Sequence, residues 1–504
     1  MKVPPFFRRN LPGLSLLLGM ALFSAACSSQ TPTPAANPMQ PLSLHDCQLT
    51  YPGVSIPVQA QCGKLTVYED RQAAAGRTID LNIAILPAIS RSPEPDPLFF
   101  LTGGPGQAAT ESFVTLASAF ERIRQKRVIV LVDQRGTGQS NPLDCPESPA
   151  ATGDEAADQA ALEGWLRRCL SELDANPALY TTPIAMQDLD DVRRALGYEQ
   201  INLYGLSYGT RAALTYLKMY PQQVRAVILD GVVPQDEALG LEVPADAQRA
   251  IDQLFARCAA DSACAHAFPD LPEKFQGLLD QLAAAPPQVA FTHPIHGGQE
   301  THPFTAVELA SAVRLLSYTP ETAALLPLLI HTSAAQGRLD LMAAQSRLVS
   351  EDLSQSISFG MNLSVLCAED FPFIDSAAAE QAAQGSYLGN IQYEELAFMC
   401  AIWPRGEVPA DFKAPASAAV PVLLLSGEAD PVTPPENALH VAETLPNSRA
   451  LTAAGQGHNV ILRGCIPRIA YDFIQSASVE GLDTACIDQI QPSPFFLTFS
   501  GPQP

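Results

Sequence analysis

Basic residues are scarce in this 504-residue chain: 30 lysines and arginines stand against 53 aspartates and glutamates, a formal net charge of −23. A surface of that sign repels phosphate backbones and anionic headgroups, so nucleic acid is not expected as a partner. There is no CxxC pair and no His/Cys cluster, which removes the usual zinc frameworks. No internal repeat is visible, and charged residues of all kinds make up 16% against 47% hydrophobic, a balance that suits a globular body and not a disordered one. The length suits one large catalytic domain with an insertion, or two to three ordinary domains.

Long apolar runs are also missing. The stretch Leu14 to Phe23 is too short to span a bilayer comfortably, yet Lys2, Arg8 and Arg9 precede it and Ser24-Ala25-Ala26 follow, so residues 1–26 read as a signal peptide. Ala26-Cys27-Ser28-Ser29 resembles a bacterial lipoprotein signal in which Cys27 is acylated. Ser24 stands where that pattern usually has Leu, and an ordinary signal peptide is the alternative. Arg8-Arg9 has the dipeptide of twin-arginine export without its surroundings. Residues 27–44, rich in Ser, Thr, Pro, Ala and Gln, read as a flexible tether.

Eleven cysteines are many for a cytosolic enzyme and natural for an exported one. Setting Cys27 aside leaves sequence-adjacent couples: Cys47 with Cys62, Cys145 with Cys169, Cys258 with Cys264, Cys367 with Cys400, and Cys465 with Cys486. Disulfides in those couples are expected. The destination is the periplasm or cell surface, with a membrane anchor through Cys27.

From Gly63 the chain shows β-type runs at Lys64–Tyr68 and Thr78–Leu86, the expected antiparallel edge of a sheet. Short, continuously apolar runs then alternate with helical stretches, which is how a buried parallel sheet reads. They are Leu98–Leu101, Val128–Val132, Ile201–Tyr204, Val224–Leu229, Val420–Leu425 and Ser448–Thr452. The pattern predicts a doubly wound, mostly parallel α/β sheet. About 190 residues of helical periodicity between the fourth and fifth of these runs exceed any ordinary connection. The expected organisation is a core over 45–234 and 413–504 interrupted by a helical cap over 235–412.

Gly205-Leu206-Ser207-Tyr208-Gly209 follows a strand and precedes the helical run Thr210–Tyr220, the context of a nucleophile elbow. A serine hydroxyl needs a base, and the base an orienting carboxylate. Asp430 follows the strand Val420–Leu425, with Glu428 as its nearby rival, and His458 lies in the Gly-rich loop after the last strand. The order Ser, acid, His is that of elbow hydrolases. Thr102-Gly103-Gly104-Pro105-Gly106, after Leu98–Leu101, is placed to supply an oxyanion loop. The backbone N–H groups of Gly104 and Tyr208 are the expected donors.

Gly103-Gly104-Pro105-Gly106, Asp133-Gln134-Arg135-Gly136-Thr137-Gly138-Gln139-Ser140 and Gly205-Leu206-Ser207-Tyr208-Gly209-Thr210 together resemble the proline iminopeptidase and tripeptidyl aminopeptidase branch of the α/β-hydrolases. The likeness runs from Leu98 to Leu462, with the cap its loosest part, and implies an α/β-hydrolase fold. Thr102 stands where iminopeptidases place His, which argues against a strict proline preference. The resemblance also implies that acidic cap residues hold the substrate's terminal ammonium, and Cys367-Ala368-Glu369-Asp370 occupies the matching segment, with Glu369 first and Asp370 second. Asp133 and Arg135 read either as the floor of the pocket or as a structural ion pair.

The expected function is a serine exopeptidase that removes single residues or short peptides from a free N-terminus, without a cofactor. An esterase or lipase with the same triad, and a catalytically silent binding lipoprotein, are the alternatives. His293, His296 and His302 flank a Gly297-Gly298 hairpin turn, but no carboxylate pattern completes the set, so no metal is expected.

Overall fold

A computed structural model describes residues 42–146, 148–149 and 155–502. The signal peptide, most of the tether and Cys27 lie outside these residues.

The β-type and apolar runs form eleven strands: β1 His45–Leu49, β2 Val58–Tyr68, β3 Thr78–Leu86, β4 Leu98–Leu101, β5 Ile129–Val132, β6 Ile201–Leu206, β7 Val224–Asp230, β8 Gln288–Thr292, β9 Gln299–Pro303, β10 Val422–Gly427 and β11 Ser448–Ala453. Nine of them make one sheet in the order β1-β2-β3-β5-β4-β6-β7-β10-β11. β1, β2 and β3 pair antiparallel and β3 meets β5 antiparallel, while β5, β4, β6, β7, β10 and β11 run parallel. Alternate residues of the central strands enter opposite cores: Phe99, Val130, Leu203 and Leu424 pack on one face, and Phe100, Leu131, Tyr204 and Leu425 on the other. Burial on both faces is why these strands read as unbroken apolar runs.

Several strand ends differ from the sequence expectation, β2 most, beginning at Val58 and not Lys64; two differences have a plain physical reason. β10 begins at Val422, after Pro421, which has no N–H to give a ladder in the middle of a sheet. β1, too polar to register as a strand, adds at the sheet edge, where Cys47 joins Cys62 on its neighbour.

Between β7 and β10 the chain leaves the sheet for a helical insertion with a two-stranded hairpin, β8 and β9. Helices Val243–Ala260, Leu271–Ala284, Ala306–Leu316 and Leu326–Gln336 bury Ile251, Phe275, Leu309 and Leu329 in a core of their own.

Disulfides join Cys47–Cys62, Cys145–Cys169, Cys258–Cys264, Cys367–Cys400 and Cys465–Cys486. Peptide mapping without reduction is expected to recover these five pairs; a cross-link between Cys62 and Cys367 would contradict the fold. Replacing Cys367 and Cys400 together opens a loop with a sequence separation of 33. The expected loss is about 2 to 5 kcal/mol of stability, read as a lowered Tm.

Candidate active site

The site lies at the carboxyl ends of β6, β7 and β10. At the end of β6, Ser207 adopts φ 54° and ψ −124°, a conformation that costs a non-glycine residue on the order of 1 to 3 kcal/mol and turns its side chain away from the strand. The turn is held by the Ser207 carbonyl, which accepts from the Thr210 N–H and, at 2.6 Å, from the Thr210 hydroxyl. The turn also needs glycine on both sides. A Cβ at Gly205 would lie 2.4 Å from the Gly209 carbonyl oxygen, and one at Gly209 would lie 2.3 Å from that of Leu101. Helix Tyr208–Met219 then carries the chain back along the sheet.

His458 Nδ1 is hydrogen-bonded to Asp430 Oδ2 at 2.8 Å. The same carboxylate accepts the Thr433 hydroxyl at 2.7 Å on Oδ2 and the N–H groups of Val432 and Thr433 at 2.9 Å each on Oδ1. Asp430 is fully buried; burial pushes its pKa up, but the His458 charge and these hydrogen bonds outweigh it and hold the carboxyl below its ordinary value. For His458, burial pulls downward and is outweighed by the charge and hydrogen bond of Asp430, with Asp230 adding to them, so the imidazole stands above its ordinary value. Glu428, the rival acid, spends its carboxylate on the Gly455 N–H instead.

Asp230, which the sequence reading passed over, ties these pieces together. Its backbone carbonyl accepts the Ser207 N–H at 2.9 Å. Its carboxylate accepts the N–H groups of Val460 and Ile461, just past His458, at 2.9 Å each, and the Tyr204 hydroxyl at 2.8 Å. Burial pushes this carboxyl up to about 6 despite those donors. A lone acid directly after an apolar strand at its carboxyl end was the signal available in the sequence.

Opposite the elbow, a Cβ on Gly103 would stand 3.2 Å from Ser207 Cβ, so the Gly-rich loop lies against the serine. Gly104 follows with φ 105°. The insertion braces this loop: Ser358 donates its N–H to the Gly106 carbonyl and the Asn362 amide donates to that of Pro105. It braces the histidine as well. The Tyr318 carbonyl accepts the His458 N–H at 2.7 Å, and the Tyr318 ring meets the imidazole edge-on at 5.1 Å.

Glu369 and Asp370 end a π-helical turn, Leu366–Asp370, and both are fully buried. Asp370 is committed to an ion-pair cluster with Arg211 at 2.6 Å and Lys413 at 3.0 Å. These contacts fall on Oδ1, while Oδ2 is buried without a partner, so Asp370 differs from Glu369 in having two cations beside it. Glu369 has neutral partners, the Thr182 N–H and, at 2.7 Å, the Thr182 hydroxyl, which in turn stands 2.6 Å from the Tyr208 hydroxyl. Burial, which outweighs the Thr182 hydrogen bonds, pushes Glu369 up to about 7.

Asp133 and Arg135 do not pair with each other. Asp133 accepts from Thr110, Asn82 and the Gln139 N–H, while Arg135 makes a two-pronged contact with Asp188 and donates to the Glu69 carbonyl. Each holds its own loop. His302 pairs with Glu308, away from the other two histidines. His293 and His296 stack at 3.8 Å, and Glu300 brings a ligand atom within 4.8 Å of theirs. Their Nδ1 atoms accept the N–H groups of Ile295 and Gly298, which places the proton on the Nε2 atoms facing Glu351 and Glu300. Glu300 is thus the carboxylate beside His293 and His296 that the sequence analysis did not find; His293 is hydrogen-bonded to Glu351 at 2.9 Å, and His296 Nε2 stands 3.6 Å from Glu300.

Ser207→Ala is expected to cut turnover by on the order of a millionfold with Tm unchanged. A base must be neutral to accept a proton, so kcat/KM should fall as pH drops through a value above the ordinary 6.5 or so of histidine. Asp230→Asn removes a charge that raises His458, and its amide points N–H toward N–H. The acidic limb should move to lower pH and kcat should fall by about 10- to 100-fold. An unmoved acidic limb would remove Asp230 from the site's electrostatics.

A model of the α/β-hydrolase fold family matches residues 96–464. The chain is 25% identical over 460 residues to the serine protease Hip1 of Mycobacterium tuberculosis, a match covering 84% of this chain and 86% of that protein. It is 30% identical over 195 residues to the tripeptidyl aminopeptidase of Streptomyces lividans, 36% of each chain. Among solved structures, the proline iminopeptidase of Mycobacterium smegmatis aligns with a TM-score of 0.40 at 15% identity, covering 82% of this chain and 98% of that one. The family match takes in the elbow serine, the Asp430–His458 pair and the loop that faces them, and on that ground the chain belongs to the α/β-hydrolase fold family and is a serine hydrolase.

Proposed function

We propose that this hydrolase is an exported serine exopeptidase that releases single residues or short peptides from the free N-terminus of peptides. In this reading Ser207 Oγ attacks the scissile carbonyl while His458 takes its proton, with Asp430 orienting the ring and stabilising the imidazolium. The developing oxyanion is met by the N–H groups of Gly104 and Tyr208. His458 returns the proton to the leaving amine, and the acyl group stays on Ser207. Water, deprotonated by His458, then releases the N-terminal fragment.

The observation that carries the peptide assignment is Glu369. It is a fully buried carboxylate with neutral hydrogen-bond partners, one hydroxyl away from the residue next to the nucleophile. A buried charge of this kind requires a partner, and a substrate ammonium supplies one. A neutral acyl chain does not, which sets this reading above an esterase. Relatives named serine protease and tripeptidyl aminopeptidase support it. The five disulfides support an oxidising compartment, and Cys27 the lipid anchor; a mature N-terminus elsewhere, read by mass spectrometry, would count against the anchor.

Glu369→Gln should cost free-amine peptides about 2 to 5 kcal/mol in kcat/KM and N-acetylated peptides or simple esters far less. Because an ammonium binds the carboxylate and not the carboxyl, wild-type affinity for free-amine peptides should rise as pH climbs through about 7. An equal loss on all substrates would remove Glu369 from the amine site. Rapid wild-type cleavage of N-acetylated peptides would overturn the exopeptidase reading.

A further inference from the structure

Carboxylates outnumber cations here by 53 to 30, so a partly buried arginine left without one is unusual. Arg314, on helix Ala306–Leu316 of the insertion, is such a residue. Among the described residues no carboxylate pairs with it. Its one guanidinium hydrogen bond is from Nη2 to the Tyr318 hydroxyl at 3.0 Å, and its Cζ lies 5.5 Å from the centre of the same ring. Its Nε–H is buried with no acceptor. The buried Tyr387 hydroxyl also lacks a partner, and the Arg314 charge acts on that phenol against the upward push of burial. A guanidinium N–H and a phenol O–H, both buried, lack an acceptor, and no carboxylate among the described residues neutralises the charge.

The place of Arg314 matters as much as its lack of a carboxylate partner. Tyr318, which Arg314 grips, holds His458 through its carbonyl and its ring, so Arg314 stands one aromatic ring from the imidazole that must hand a proton to the leaving group. The Arg314 charge is felt at His458, where it opposes protonation. The 5.5 Å from Arg314 to the Tyr318 ring and the 5.1 Å from that ring to the imidazole keep the guanidinium within reach of His458, a span on the order of three extended residues at about 3.3 Å each.

We propose that Arg314, with the Tyr387 hydroxyl, forms a carboxylate-binding subsite for the fragment that leaves, so that the enzyme favours peptides carrying a negative charge shortly after the cleaved bond. The peptide identity rests on the function proposed above; the carboxylate preference rests on Arg314 alone. A guanidinium takes a carboxylate through two parallel N–H donors, and four of its five N–H groups are free of hydrogen bonds to the described residues. The carboxylate has two possible sources, the free C-terminus of a short peptide or an acidic side chain, and the test separates them.

Two matched pairs of free-amine peptides decide it. One pair differs in a C-terminal acid or amide two residues after the cleaved bond. The other is amidated at that end and differs in Glu or Gln there. Wild type should favour the charged member of at least one pair by about 10- to 100-fold in kcat/KM. Arg314→Gln should bring that ratio near one, and Tyr387→Phe should reduce it several-fold. A merely structural role would lower both members equally and leave the ratio standing, which would overturn the proposal. A wild-type ratio near one in both pairs would overturn it without any variant, so misfolding of Arg314→Gln cannot rescue it. If no peptide is cleaved, the peptidase reading fails, and the same ratio is read on esters whose alcohol part bears or lacks a carboxylate.

Discussion

The site depends on one residue that does no chemistry in the proposed mechanism. Asp230 ends β7 between the nucleophile strand β6 and the acid strand β10, so its backbone and side chain reach both neighbours. Its carbonyl fixes the Ser207 N–H and with it the strained turn of the elbow, while its carboxylate gathers the two N–H groups that follow the histidine. A parallel sheet places strand ends side by side but leaves the loops beyond them free, and a buried carboxylate that accepts from several donors removes that freedom. The cost shows in its titration, since burial brings Asp230 to about 6 even with Tyr204 and two backbone groups donating to it.

The insertion is likewise part of the machinery and more than a cover. It supplies the carbonyl that takes the His458 N–H, the N–H that takes the Gly106 carbonyl, and, through Arg249 Nη1, a donor at 3.1 Å to the Glu428 carbonyl in the acid loop. The histidine loop, the acid loop and the Gly-rich loop are therefore all gripped from the same segment. A shift of that segment would move His458 and the Gly-rich loop together, and in the proposed mechanism that couples substrate entry to assembly of the site.

The sheet was legible because its central strands are buried on both faces and the elbow lies in an unmistakable strand–turn–helix context. Ser207, Asp430 and His458 were candidates from chain order and Gly spacing, and the structure sets the His458 imidazole on the Asp430 carboxylate. What escaped were partners set by long-range packing. Asp133 and Arg135 look like a pair two residues apart, yet each finds its partner elsewhere, Arg135 on Asp188 across 53 positions. Glu351, which is hydrogen-bonded to His293, lies 58 residues from it, so local pattern could not show it. Arg314 carried no motif at all; that no carboxylate among the described residues pairs with it is visible only once the fold has distributed the others.

The adjacent acids Glu369 and Asp370 show how a fold can give like residues unlike states. Both are fully buried on one π-helical turn, so their desolvation is similar. The extra residue of a π-turn rotates successive side chains away from one another, and here the two point into different surroundings. Arg211 and Lys413 both go to Asp370, which holds it as a charged strut between the core helix and the insertion. Glu369 receives a hydroxyl and an amide and no cation, and its carboxyl rises to about 7. Moving either cation one residue along would ionise Glu369 permanently and cancel its charge. Concentrating both on Asp370 leaves Glu369 responsive, and in the proposed function a substrate ammonium arriving beside it would drive it to its charged form.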